Sequence, residues 1–129
     1  MRLLLDTNIL IIIIRDEKRR LDRATAETLS RQGNQSWAST ASLWEIAIKT
    51  RLGKLDPAMP LEDIPSQLGS LDIALLPIDH RHALAAVDPE PATRDPFDRL
   101  LLGQCAVEGM RLVTRDRALA LHPYAWREA

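Results

Sequence analysis

Apolar residues in this chain fall into short runs broken by charged and proline-bearing segments, and the runs alternate between two periodicities. Arg2–Leu5 reads as a short buried strand, and a helical segment begins near Asn8. Leu21 to Arg31 places Leu21, Ala24, Thr28 and Leu29 at helical spacing and ends before Gly33, a C-cap candidate. Ser36–Ser39 is a strand candidate, and Thr40 to Leu52 a helix closed by Gly53. Pro57 to Pro65 turns the chain toward a short helix near Leu61–Leu71. Ile73–Ile78 is an apolar strand interrupted at Pro77, followed by a short helix over Asp79 to Val87 and a proline-bearing loop over Asp88 to Thr93. Pro96 to Glu108 is a strong helix ended by Gly109. Arg111–Thr114 is the next strand and Tyr124–Arg127 a candidate last one. Strands alternating with helices predict an α/β fold, a parallel sheet covered on both faces. In such sheets ligands bind beyond the carboxyl ends of the strands.

Composition narrows this picture. The 129 residues are expected to form a single domain, 46% apolar and 27% charged, so soluble and globular rather than disordered. The single cysteine, Cys105, excludes an intramolecular disulfide framework and gives no support to a thiolate metal site. It fits a reducing, cytoplasmic compartment. Asp6 and Asn8 interrupt the apolar start, and no run of 18 apolar residues exists, so neither a signal peptide nor a membrane span is expected. The net charge of −1 does not advertise nucleic-acid binding. Four acids engaged with metal would leave the remainder mildly basic, near +3.

The acids carry the candidate chemistry. Asp6 directly follows the first strand, and Asp116 follows Arg111–Thr114 after one residue. Asp98 opens the apolar stripe of its helix, with Leu101, Leu102 and Cys105 on the same face. Glu45 lies inside SLWEIAIKT, with Ser42, Ile48 and Lys49 as helix-surface neighbours. Each has an ordinary structural role open to it. Asp6 and Asp116 fit N-caps, Asp98 fits a capping box with Asp95 as cap and Pro96 at the first helical position, and Glu45 fits an ion pair with Lys49 one turn on. Together they suggest more. Strand ends of a parallel sheet share one edge, so the four carboxylates can converge there, where they repel one another unless cations neutralise them. An all-oxygen set suits Mg²⁺ or Mn²⁺, as one or two ions. Two ions roughly 4 Å apart activate an attacking water and stabilise a leaving phosphodiester oxygen.

LLLDTNIL, SLWEIAIKTRLGKL, RDPFDRLLLGQ and LVTRD stand in the order and spacing of PIN-domain ribonucleases, and the chain from Arg2 to Trp126 resembles most closely the VapC-like toxins of bacterial toxin–antitoxin pairs. The resemblance implies a Rossmann-like sheet of about five parallel strands and a metal-dependent endoribonuclease that cuts tRNA, rRNA or mRNA. It implies a VapB-like antitoxin and a homodimer. The metal-holding catalytic acids carried over are Asp6, Glu45, Asp98 and Asp116, with Thr7 and Asn8 orienting the first. The chain departs from the family at Ile11 to Ile14, where aromatics are common, and at Ala92 and Thr93, where His is common.

Several neighbours are candidate supporting residues. Asp95 is either a fifth carboxylate or an N-cap, and the following proline favours the cap. Arg99 and Arg115 flank two of the acids and suit phosphate contacts or solvated surface charge equally. Lys49 suits clamping Glu45, while Ser42 and Thr114 suit hydrogen bonds within the site. Trp37 and Trp44 read as core or partner surface rather than base-stacking platforms, and Cys105 reads as packing. The run Ile9–Ile14 suits a core helix, a dimer surface or both, and being too continuously apolar for one helix stripe it is expected to turn part of itself toward a second surface, a subunit or a partner. Two other function classes fit parts of the pattern. A phosphoryl-accepting receiver domain wants paired early acids, an accepting Asp after the third strand and a late lysine, whereas this chain has one early acid and no lysine after Lys54. A binding module would use the acids only as caps, and a PIN ribonuclease of RNA processing would lack an antitoxin.

Overall fold

A computed structural model of the chain describes residues 1–128. Its elements are β1 (Arg2–Leu5), α1 (Thr7–Ile14), α2 (Arg23–Ser30), β2 (Gln35–Ser39), α3 (Thr40–Arg51), α4 (Ile64–Ser70), β3 (Ile73–Leu76), α5 (His80–Leu84), α6 (Pro96–Glu108), β4 (Arg111–Val113) and α7 (Arg117–Ala120). Single 3₁₀ turns at Lys18–Arg20 and Leu61–Asp63 lead into α2 and α4.

The strands form a parallel sheet in the order β3-β2-β1-β4. β1 lies between β2 and β4, with Leu4 opposite both Trp37 and Leu112. Because β1 is covered on both faces, its Leu3, Leu4 and Leu5 are apolar without alternation, and successive side chains feed two cores. Leu3 and Leu5 join Ile9, Leu10, Ile13, Ile46 and Leu68 on the side of α1, α3 and α4. Leu4 joins Leu101, Leu102, Cys105, Leu112 and Leu119 on the side of α6 and α7.

Local chemistry sets the ends of α6. Asp95 caps it by accepting from the Phe97 N–H (2.9 Å), Pro96 takes the first turn, and Gly109 adopts φ +67° just beyond its end. That conformation is cheap for glycine and strained for other residues.

Four strands form among the described residues, where about five were expected. Tyr124–Arg127 adds only one bridge, Leu112 to Ala125. Pro123, which lacks an N–H, stands just before the segment, and only Leu112 is bonded on both sides, accepting from Trp126 N (2.8 Å) and donating to Tyr124 O (2.9 Å). Gly33 is not the C-cap of α2. The helix stops at Ser30, and the Asn34 amide donates to the Thr28 carbonyl instead (2.9 Å). The apolar run of α1 also differs from expectation. Ile9, Leu10, Ile12, Ile13 and Ile14 are all buried inside this chain, leaving Ile11 half-buried. A helix apolar all round is one enclosed by its own fold.

Candidate active site

The connection β1-α1-α2-β2-α3 runs to one side of β1, and after β3 the chain crosses back to place β4 on the other side. The crevice beyond the carboxyl ends of β1 and β4 is therefore the point where strand order reverses. Asp6 ends β1 there. Its N–H donates to Val113 O of β4 (2.9 Å), and the residue is 5% exposed. One carboxylate oxygen accepts from the Thr7 N–H (2.8 Å), the other from the Thr114 hydroxyl (2.7 Å).

The supporting shell is built from hydroxyls. Thr7 Oγ1 donates to Ser42 Oγ (2.9 Å), which ties the start of α1 to α3. One turn on in α3, Glu45 is buried and its Oε2 accepts from Lys49 Nζ (2.6 Å). Asp98, half-buried in the first turn of α6, accepts from the Thr93 hydroxyl (2.9 Å). Asp116 caps α7 by accepting from the Ala118 N–H (2.9 Å).

Thr-Arg-Asp occurs twice, at 93–95 and 114–116, and folds the same way both times. In each, the threonine hydroxyl accepts from the aspartate N–H two residues on (3.1 Å to Asp95, 3.0 Å to Asp116), and the aspartate caps the next helix. Each hydroxyl then spends its own proton on another carboxylate, Asp98 in one case and Asp6 in the other. Thr93 was not singled out from the sequence as a supporting residue. The repeated tripeptide, each copy opening a helix, was the available signal.

Other candidates fall differently. Asp95 is exposed and serves as a cap, as its proline neighbour suggested. It does not form a capping box with Asp98, because Thr93 takes the place of the returning acid. Arg99 donates from Nε to Thr93 O (3.1 Å) and pairs with Glu90, so it braces the preceding loop. Asn8 and Arg115 are exposed, and none of these hydrogen bonds reaches Asn8. Cys105 is packing, with burial pushing its thiol up to about 12.

Electrostatics shows that the acids feel one another. Burial raises Asp6 above the ordinary carboxylate range against its two hydrogen bonds, and the charges of Glu45 and Asp116 raise it further. Asp98 is pushed up to about 6, chiefly by burial and then by Asp95, Asp6 and Asp116. Lys49 is raised, first by its bond to Glu45 and also by Asp95 and Asp98. Among the described residues, no three His, Cys, Asp or Glu side chains stand close enough to hold a metal ion as they are placed. Their oxygens are turned instead to hydroxyls, backbone N–H groups and Lys49. The donor set still fits a hard divalent cation. It is all oxygen, and the strain in these carboxylates is what such a cation relieves.

A stability effect follows in the metal-free protein. Asp98 has a higher pKa folded than unfolded, so between about pH 4 and 6 the folded state holds a proton the unfolded chain has released. This contribution stabilises the fold as pH falls and is lost as pH rises through about 6. Asp6 acts in the same direction. The melting temperature of wild type relative to Asp98→Asn is expected to rise between pH 7.5 and pH 5 in a chelating buffer. A difference that stays flat with pH contradicts the assignment.

The PIN domain family profile matches residues 3–122. Among solved structures, the chain is similar to VapBC2 from Rickettsia felis bound to a DNA fragment from its promoter, with TM-score 0.65 and 16% identity over 97% of this chain and 96% of that one. At that identity the likeness concerns the fold. No curated protein matches the chain in sequence.

Proposed function

This chain belongs to the PIN domain family, whose members are nucleases, and from that premise we propose that it is a Mg²⁺- or Mn²⁺-dependent endoribonuclease acting as the toxin of a toxin–antitoxin pair. The observation that carries the reading is the pair of raised carboxylates Asp6 and Asp98 at the β1–β4 switch point, each pushed up by burial and then by the charge of neighbouring acids. Asp6, Glu45, Asp98 and Asp116 are the residues that would hold one or two ions. Bound there, a divalent ion supplies a nucleophilic water and neutralises charge developing at phosphorus.

The chain's own residues do the positioning. Thr114 and the Thr7 N–H fix the Asp6 carboxylate, and Thr93 fixes Asp98. Ser42 anchors Thr7, so the start of α1 cannot move independently of α3. Lys49 holds the Glu45 side chain in place by donating to its Oε2. No side-chain nucleophile is required.

The receiver reading loses its acceptor. The first acid after β3 is Asp79, whose carboxylate is held by Arg81 (2.8 Å) and caps α5. The fold likeness to VapBC2 supports a VapB-like antitoxin as partner. Trp44 and Leu52, each 63% exposed on or just after α3, support a homodimer. No helix among the described residues is long and apolar enough to cross a membrane.

The test is cleavage of structured RNA. Cutting is expected with Mn²⁺ or Mg²⁺, to stop in EDTA and to return when the ion is restored. Mn²⁺ at about 100 times its dissociation constant should also stabilise the fold by about 2.7 kcal/mol. Cleavage that survives exhaustive chelation sinks the metal assignment, and its absence in every ion sinks the nuclease.

A further inference from the structure

A cleft of about 330 Å³ opens between the 88–94 loop and α7. Pro91, Ala92 and Thr93 line one side, and Ala118, Leu119 and Leu121 the other. None of the four acids lines it, but on each wall one lining residue is hydrogen-bonded to one of them. The Thr93 hydroxyl is 2.9 Å from Asp98, and the Ala118 N–H is 2.9 Å from Asp116. A group in this cleft is therefore one residue removed from two of the four carboxylates.

The cleft is preformed. At its floor His122 is buried, donates from Nε2 to Pro89 O (2.8 Å) and accepts at Nδ1 from the Tyr124 N–H (3.1 Å). The ring thus ropes the loop to the segment after α7 and fixes the width between the walls. On the loop side Arg99 adds a second anchor at Thr93 O.

We propose that this cleft is a nucleobase subsite, taking one unpaired base of the RNA strand next to the scissile phosphodiester. The inference rests on the ribonuclease reading above. Prolines and alanines give the cleft flat, short-side-chain walls, which suit a planar ring. The volume exceeds that of one base, about 120–150 Å³, and is too small for a folded element. Leu121 stands 78% exposed at the mouth, an apolar side chain that a stacked base would cover. Bases are read in RNA when they are unpaired and splayed out, and here burial of the ring against apolar walls supplies the affinity.

The polar groups in the cleft are already engaged. Both His122 nitrogens are bonded, Glu90 is paired with Arg99, and Thr93 gives its proton to Asp98. Discrimination then comes from the ring area that the apolar walls can cover, which is larger for a purine. The subsite should separate purines from pyrimidines at one position and not distinguish single bases within a class.

The experiment uses hairpin RNAs with a randomised single-stranded loop, cut by the full chain in Mn²⁺, with the new ends sequenced. Wild type is expected to show a purine–pyrimidine bias at one position within two nucleotides of the cut. Ala92→Phe, which fills the cleft, and Leu121→Ala, which removes a wall, should change that bias about fivefold or more, the apolar contact of one side chain. Preferences at other positions, the melting temperature and the Mn²⁺ dependence of melting should be unchanged. A wild-type profile in both variants, or uniformly slower cutting with the bias intact, overturns the subsite and leaves the nuclease standing. A protein segment as the true occupant gives that same unchanged profile. No cutting by wild type overturns both.

Discussion

Asp6→Asn is expected to reduce RNA cleavage in Mn²⁺ by about 10³-fold or more, equivalent to about 4 kcal/mol of transition-state stabilisation. Asp98→Asn should do the same. Asparagine keeps the shape of the side chain but removes one negative charge and one acceptor oxygen. At position 6 the lost oxygen is one of two that Thr7 N–H and the Thr114 hydroxyl now hold. The fold should survive, because burial and the neighbouring acids already oppose charge on Asp6 and Asp98. The melting temperature of either variant at pH 7.5 without metal should equal or exceed that of wild type. Wild-type cutting rates in either variant would show that the chemistry lies elsewhere.

The largest expected effect on stability lies in the central strand. Leu4 is fully buried between β2 and β4 and packs on Leu101, Leu102 and Leu112. Leu4→Ala should cost about 3–4 kcal/mol, the lost transfer energy plus a cavity that the sheet cannot close. For a domain of this size that lowers the melting temperature by roughly 10–15 °C. It is a large share of the 5–15 kcal/mol typical of single domains. Denaturant unfolding followed by circular dichroism measures it, and a cost under about 1 kcal/mol would mean the packing around Leu4 is looser than described. The same substitution sits two residues before Asp6, so activity should fall before the fold is lost.

Most of the site was legible because its signals are local. A short apolar run followed by an acid reads as a strand end, and DPFD reads as cap, proline and first turn. β1 and α6 accordingly have the bounds their patterns predict. The unread parts depend on tertiary partners. Tyr124–Arg127 has strand-like composition, but its pairing is decided by Pro123 and by contact with Leu112 alone. Ile9–Ile14 looked like a surface because periodicity cannot tell a helix enclosed by its own sheet and neighbours from one that awaits a partner. Thr93 looked like a departure where histidine is common. Its hydroxyl reaches Asp98 only because the loop folds back onto α6. Asp95 and Asp98 looked like one capping box because sequence spacing shows which groups can meet and not which partner wins.

β1 is made first, yet it pairs with a strand more than 100 residues later, Leu3 with Arg111 and Leu5 with Val113. Asp6 likewise waits for Thr114. During synthesis at about 5–20 residues per second, the crevice cannot exist until roughly 5–20 s after its first carboxylate has been added. A nascent chain therefore carries no assembled cutting site while most of it is still being translated. An enzyme that attacks RNA would then be silent beside its own message and ribosome, and would gain activity only as the last strand docks.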